Sequence, residues 1–191
     1  MKHLKMFSIT ALTAISTAVF AASVSATVIT SPASTTYAGT ISASAGVTSL
    51  HNDAFSVWCN KSLVTGKVEF HGAGTTAGGA VSTLSFSECT RPVTVLAKGS
   101  LEVAATSGGN GTVRSSVASV TIHGPFGVNC LYTTAQTDVG TLTGSSTTNA
   151  TAKLDINSAL IPRTGDSPFC GTFGEWTGSY TVNTPDYLDV D

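Results

Sequence analysis

The stretch FCGTFGEWTGSYTV, residues 169–182, places Cys170, Glu175 and Trp176 within seven positions of one another. A carboxyl group held against an indole is one way to raise a pKa for general acid work. Such work also needs a second carboxylate or a base, and Glu69, Glu88 and Glu102 each stand alone in the sequence. A simpler reading fits the same residues. Trp176, Gly178, Tyr180 and Val182 alternate with Thr177, Ser179 and Thr181, as a half-buried strand requires, and Glu175 sits at its start.

Other chemistries find as little support. The many serines include no G-x-S-x-G elbow, so none has a visible activating turn. His51, His71 and His123 are isolated, with no H-x-H or H-E-x-x-H to gather ligands on one element. GAGTTA, residues 72–77, imitates a dinucleotide glycine pattern, but no helix follows to hold a pyrophosphate, and a hairpin loop is expected there. The triplets at Asn60, Asn110 and Asn149 match the glycosylation pattern, as so Ser/Thr-rich a chain does by chance. Phe126, Phe169, Phe173, Trp58 and Trp176 could line a groove for a hydrocarbon or a sugar ring, although such side chains more often fill a core. No catalytic, cofactor or metal site is expected, and the chain is read as non-enzymatic.

Cys59, Cys89, Cys130 and Cys170 have different work to do. Four cysteines with no C-x-x-C pair read as a disulfide framework in an exported chain. Three pairings are possible. A faint likeness between CNKSLVTGKVEF and CLYTTAQTDVGTLTG, and between CTRPVTV and CGTFGEWTGSYTV, favours Cys59 with Cys89 and Cys130 with Cys170.

The elements that carry these residues read as strands. Period-two alternation recurs between Gly, Ser, Asn and Pro clusters, in YAGTISAS, FSVWC, GKVEFH, VSTLSFS, VTVLA, SLEVAA, TVRSSVASVTIHG, VNCLY, VGTLTG, ATAKLDI, EWTGSYTVN and YLDV. Val95 and Ala97, then Leu101, Val103 and Ala105, alternate on either side of Lys98-Gly99, which predicts a hairpin turning there. The loops GAGTTAGGA, SGGNG and GSSTTN separate further strand pairs. The expected fold is all-β, an antiparallel β-sandwich that is either immunoglobulin-like or a partly closed barrel, with two disulfides.

Residues 1–26 are expected to be a signal peptide. Lys2, His3 and Lys5 precede an uncharged run, and AASVSA supplies small residues for cleavage after Ala26. Residues 27–191 then form a single secreted domain, without a further segment apolar and long enough to span a bilayer. Seven basic against eleven acidic residues give this part a net charge of −4. The bases are scattered singly, which argues against a nucleic-acid partner. Only 18 of the 165 residues are charged and 48 are Ser or Thr, a surface liable to self-association and suited to a cell surface or an oil–water boundary.

The segment SPASTTYAGTISAS, residues 31–44, resembles the start of the small exported bacterial proteins of the protein activator of alkane oxidation family. The four cysteines in a Ser/Thr/Gly-rich β chain match as well, as does Trp176-Thr177-Gly178. The resemblance implies a secreted, non-enzymatic protein that helps emulsify or take up hydrocarbon, with hydrocarbon or cell-surface components as partners. It supplies no catalytic residues. The alternative is a cell-surface or biofilm adhesin, or a pilus-like subunit that assembles through strand edges.

Overall fold

A computed structural model describes residues 27–31, 35–71, 76–145, 150–185 and 188–190; residues 1–26, read as the signal, lie outside them. In chain order the strands are β1 (Ile29–Ser31), β2 (Thr35–Thr36), β3 (Thr40–His51), β4 (Ser56–Lys67), β5 (Phe70–His71), β6 (Thr76–Cys89), β7 (Val93–Ala97) and β8 (Ser100–Ala105). They continue with β9 (Gly111–Ser116), β10 (Ser119–His123), β11 (Asn129–Thr133), β12 (Thr137–Thr143), β13 (Lys153–Pro162), β14 (Phe173–Thr184) and β15 (Asp189–Val190).

Eight of these strands close into an antiparallel barrel. Going round it, β3, β4, β6, β8, β9, β12, β13 and β14 follow in chain order, and β14 pairs back onto β3. The cause is the alternation. In β13, Leu154, Ile156, Ala159 and Ile161 point inward, while Lys153, Asp155, Asn157, Ser158 and Leu160 face out. Each fully buried Val, Leu or Ile contributes about 1.5–3 kcal/mol, so a register slip of β13 alone would turn Leu154, Ile156 and Ile161 to water together and cost several kcal/mol. Apolar inside and largely polar outside is the reverse of a lipid-facing barrel. Among the described residues no helix is long and apolar enough to cross a membrane.

Closure depends on two glycines. Thr76–Ala80 of β6 pair with β8, and Val81–Cys89 pair with β4, so β6 changes partner midway. A Cβ at Gly78 would meet the Leu101 carbonyl oxygen at 2.2 Å, and one at Gly79 the Lys67 carbonyl oxygen at 2.0 Å. Only a residue without a side chain lets three backbones meet there.

A second sheet, β11-β10-β7, leans over one end of the barrel, so that half of the molecule is a sandwich. Here the structure corrects the expected hairpin at Lys98-Gly99. Strands β7 and β8 do not pair with each other. They follow one another as a single bent run, β7 against β10 and β8 against β9, and the chain reverses instead at 106–110, where the Thr106 N–H donates to the Asn110 carbonyl. Gly99 has a φ of 68°, which kinks the run without reversing it. TVRSSVASVTIHG, expected as one strand, breaks opposite at Val117, with a φ of 61°, and the third run bends beside them at Gln136, with a φ of 56°. The three bends form one crease. Inside it the buried Thr134 hydroxyl accepts the Ala118 N–H at 2.9 Å, replacing a ladder bond that the crease breaks.

Residues 72–75 of the expected GAGTTA loop lie outside the described residues, and His71 and Ala77 pair on either side of them. The small sheet β15-β1-β2 covers the mouth of the barrel away from the second sheet, burying Ile29, Leu188 and Val190. Cys59 is bonded to Cys89 across β4 and β6, and Cys130 at the start of β11 is bonded to Cys170.

Candidate functional site

The carboxylates considered as candidates for acid–base work lie on different elements, each with local contacts. Glu88 pairs with Lys61, and Glu69 accepts the Ala80 N–H at 3.2 Å. Glu102 of β8 stands opposite Arg114, whose guanidinium bonds Asp138 at 2.8 Å. That carboxylate, the hydrogen bond first and then the charge, raises the Arg114 pKa further. Glu175 is the register partner of His51 on one side and Leu160 on the other. Among the described residues no three His, Cys, Asp or Glu gather as a metal site.

One row was not legible from the sequence. His51 stands opposite Ser56 on β4 as well as Glu175 on β14, and its Nδ1 lies 2.7 Å from the Ser56 Oγ. The order Ser, His, Glu has the residue types of a triad. Its geometry is a cross-strand ladder in solvent, and among the described residues Glu175 makes no hydrogen bond to the ring. A serine is activated where water is excluded and N–H donors await the oxyanion, and an exposed cross-strand row offers neither condition.

The aromatic residues divide in an unexpected way. Trp176 packs inward, edge-on to Phe86 and to Tyr180, each with ring centroids 5.9 Å apart. Tyr180 is fully buried at mid-barrel, its hydroxyl 2.7 Å from that of Ser62; burial pushes its pKa well up, against the pull of the Ser62 and Trp176 contacts. The expectation that such residues fill the core fails for the other four. Phe126 is 103% exposed, Phe169 68%, Trp58 52% and Phe173 46%. Val, Ile, Leu and Ala fill most of the interior in their place.

Three of these phenylalanines belong to one pole, built around the Cys130–Cys170 bridge. Phe126 is the middle residue of the turn Pro125–Gly127 at the tip of the β10–β11 hairpin, just beyond the His123–Asn129 pair. It adopts a φ of 54°, a left-handed conformation that costs a non-glycine residue on the order of 1–2 kcal/mol. Phe169 precedes Cys170 in the turn Pro168–Cys170, and Phe173 opens β14 opposite Pro162. The loop between them is fixed by the bridge, by the Tyr132 hydroxyl donating to the Cys170 carbonyl, and by the Arg163 N–H donating to the Thr172 carbonyl at 2.9 Å. Burial raises the Tyr132 pKa, with contacts from Asn52 and Arg163 acting the other way. On the far side of the pole Asn52 Oδ1 accepts the N–H groups of Ala54 and Phe55, and the Phe55 ring lies under Gly124.

At the opposite end the barrel has a partly open hollow of about 100 Å³ beside the β15-β1-β2 cover, lined by Ala43, Val64, Val103, Leu154, Val182 and Leu188 among others. Its walls are almost wholly carbon. No family model, curated protein or solved structure matches this chain.

Proposed function

We propose that this chain is an exported, non-enzymatic protein that settles on hydrocarbon–water boundaries through its phenylalanine-tipped pole and so helps to disperse hydrocarbon or take it up. The observation that carries this reading is the exposure of Phe126, Phe169 and Phe173 around one buried disulfide. Covering a whole phenylalanine is worth about 1.5–3 kcal/mol, so covering the exposed fractions of these three is worth about 3–6 kcal/mol. A turn that holds Phe126 in a left-handed conformation, pointing into water, costs stability for no packing return; transfer into oil recovers it. Two disulfides accord with export. The resemblance to the alkane-oxidation activators points the same way.

Assembly through strand edges has less to rest on. The main sheet closes on itself, and the strands at the free edges of the small sheets are no longer than five residues, a length at which edge pairing is weak.

The test is flotation of residues 27–191, oxidised, with emulsified hexadecane. Protein should rise with the oil, and a Phe126→Ser, Phe169→Ser, Phe173→Ser variant with an unchanged melting curve should partition at least about a hundredfold less. Equal flotation of the variant, or protein left in the water, overturns the reading.

A further inference from the structure

We propose that the outside of the barrel wall carries a second site, a groove that binds a neutral glycan. The groove holds about 430 Å³ across β4, β3, β14 and β13. Thr177, Gly178 and Ser179 of β14 form its floor. Trp58 and Val47 stand on one side, and Asp155 and Asn157 on the other, with Ser49 between.

The register explains why a hollow exists on an otherwise even surface. Ser49 lies directly opposite both Trp58 and Thr177, and Asp155 directly opposite Ser179. On each side of Gly178 the ladder slips. Strand β3 slips between Ala45 and Thr48, beside Val47, and β13 between Ile156 and Ala159, where Ser158 has a φ of 54° and its N–H donates to the Thr177 hydroxyl at 3.2 Å. Two bulges flanking one short stretch turn side chains away from the strict in-and-out alternation, the use to which bulges are put beside binding sites.

The chemistry of the lining selects the ligand. Trp58 is half-exposed on the outer face of a strand, away from the core, and offers an indole face on which the C–H side of a sugar ring can stack. Ser49, Thr177 and Ser179 present hydroxyls, Asn157 an amide, and Asp155 a carboxylate that accepts the Ser179 hydroxyl on one oxygen and has lone pairs to spare. The hydroxyls and the amide donate as well as accept and the carboxylate accepts, which matches vicinal sugar hydroxyls. Neither lysine nor arginine lines the groove, and its one charge is negative, so phosphorylated, sulfated or uronic ligands are disfavoured. Hydrocarbon is disfavoured by the polar floor. Three strand spacings separate β4 from β13, about 14 Å, so the ligand lies across the strands as a chain of linked sugars. This site is separate from the phenylalanine pole, and its test does not depend on that reading.

The experiment is titration calorimetry and tryptophan fluorescence of the oxidised protein with four neutral oligosaccharides: cellohexaose, laminarihexaose, maltohexaose and chitohexaose. At least one should bind with a dissociation constant of about 1 mM or tighter and shift the emission of Trp58. Trp58→Ala should weaken that binding roughly tenfold or more, and Asn157→Ala on the opposite wall, an exposed position, should weaken it severalfold with an unchanged melting curve. Absence of binding by all four, or binding that both variants retain in full, overturns the proposal. Preference for a polyanion such as alginate over every neutral oligosaccharide overturns it as well.

Discussion

Replacing the two disulfides one at a time, Cys59→Ala with Cys89→Ala and Cys130→Ala with Cys170→Ala, should separate two kinds of stability. The sequence separations are 30 and 40 residues, and the chain-entropy model assigns these loops about 3.6 and 3.9 kcal/mol. On that ground the two variants are equals. The structure distinguishes them. Cys59 and Cys89 are register partners in the long β4–β6 ladder, which holds them opposite each other whether or not they are bonded. Removing this bridge should lower global stability and leave the cooperativity intact. With m of about 2 kcal/mol per molar urea, the midpoint of unfolding should fall by about 2 M. Cys130 and Cys170 instead tie β11 to a loop that belongs to no strand ladder and is held otherwise by separate hydrogen bonds, so their removal should also loosen residues 164–172 without unfolding the barrel. The assay is urea denaturation followed by tryptophan fluorescence, together with limited proteolysis and hexadecane flotation. The second variant should be nicked in that loop and float less well, because Phe169 has lost its mount. A midpoint shift below about 0.5 M for the Cys59 and Cys89 variant would refute the entropic reasoning. An uncut loop with full flotation in the other variant would refute the assignment of a positioning role to its bridge.

Three further outcomes follow from the interior and the surface. Burial holds the Tyr180 proton in the folded state at pH values where the unfolded chain releases it, so stability is complete below about pH 10 and falls above it by about 1.4 kcal/mol per pH unit. Urea midpoints between about pH 8 and 11.5 should show this slope, with Tyr132 adding to it, and Tyr180→Phe should flatten it. Thr134→Val keeps the shape but removes the acceptor of the Ala118 N–H inside the crease, which should cost about 1–3 kcal/mol by the same denaturation; a cost near zero would mean that water replaces the hydroxyl there. The Lys61–Glu88 and Arg114–Asp138 pairs are exposed, so raising salt from about 0.05 to 0.5 M should move the melting temperature by no more than a degree or two.

Much of the fold was legible because alternation is a local property. The EWTGSYTVN segment puts Tyr180 and Val182 inside and Thr177 and Ser179 outside, as its period requires. The cysteine pairing favoured by a faint likeness between halves is the one the structure shows, although the two bridges sit in unlike places, one in the β4–β6 ladder and one between β11 and a loop. Around Lys98-Gly99 the same local pattern served two topologies. Apolar residues alternating on both sides of a glycine fit a hairpin and a bent strand equally, and only the distant partner run 111–123 decides between them. Between an immunoglobulin-like sandwich and a barrel, the pairings of β6 with both β4 and β8, and of β14 with β3, choose the barrel for one half and leave a sandwich in the other. The candidate sites were less legible. Phenylalanine is a core residue by type, so nothing in the letters PFG or PFC says that the ring points outward; that comes from the turns that carry them. Likewise, residues 51, 56 and 175 meet only through register.

The pairing of β14 with β3 also sets an order of events. Eight strands laid down in sequence can add one to the next as they emerge, yet the sheet remains an open ribbon until residues 173–184 arrive to join its two margins. Until then β3, laddered on one side to β4, and β13, laddered on one side to β12, each keep one long edge unpaired, in a chain with little charge to keep copies apart. A growing chain stalled before Phe173 is therefore the form most at risk of joining another copy, and a chaperone that met it would have those two margins to cover.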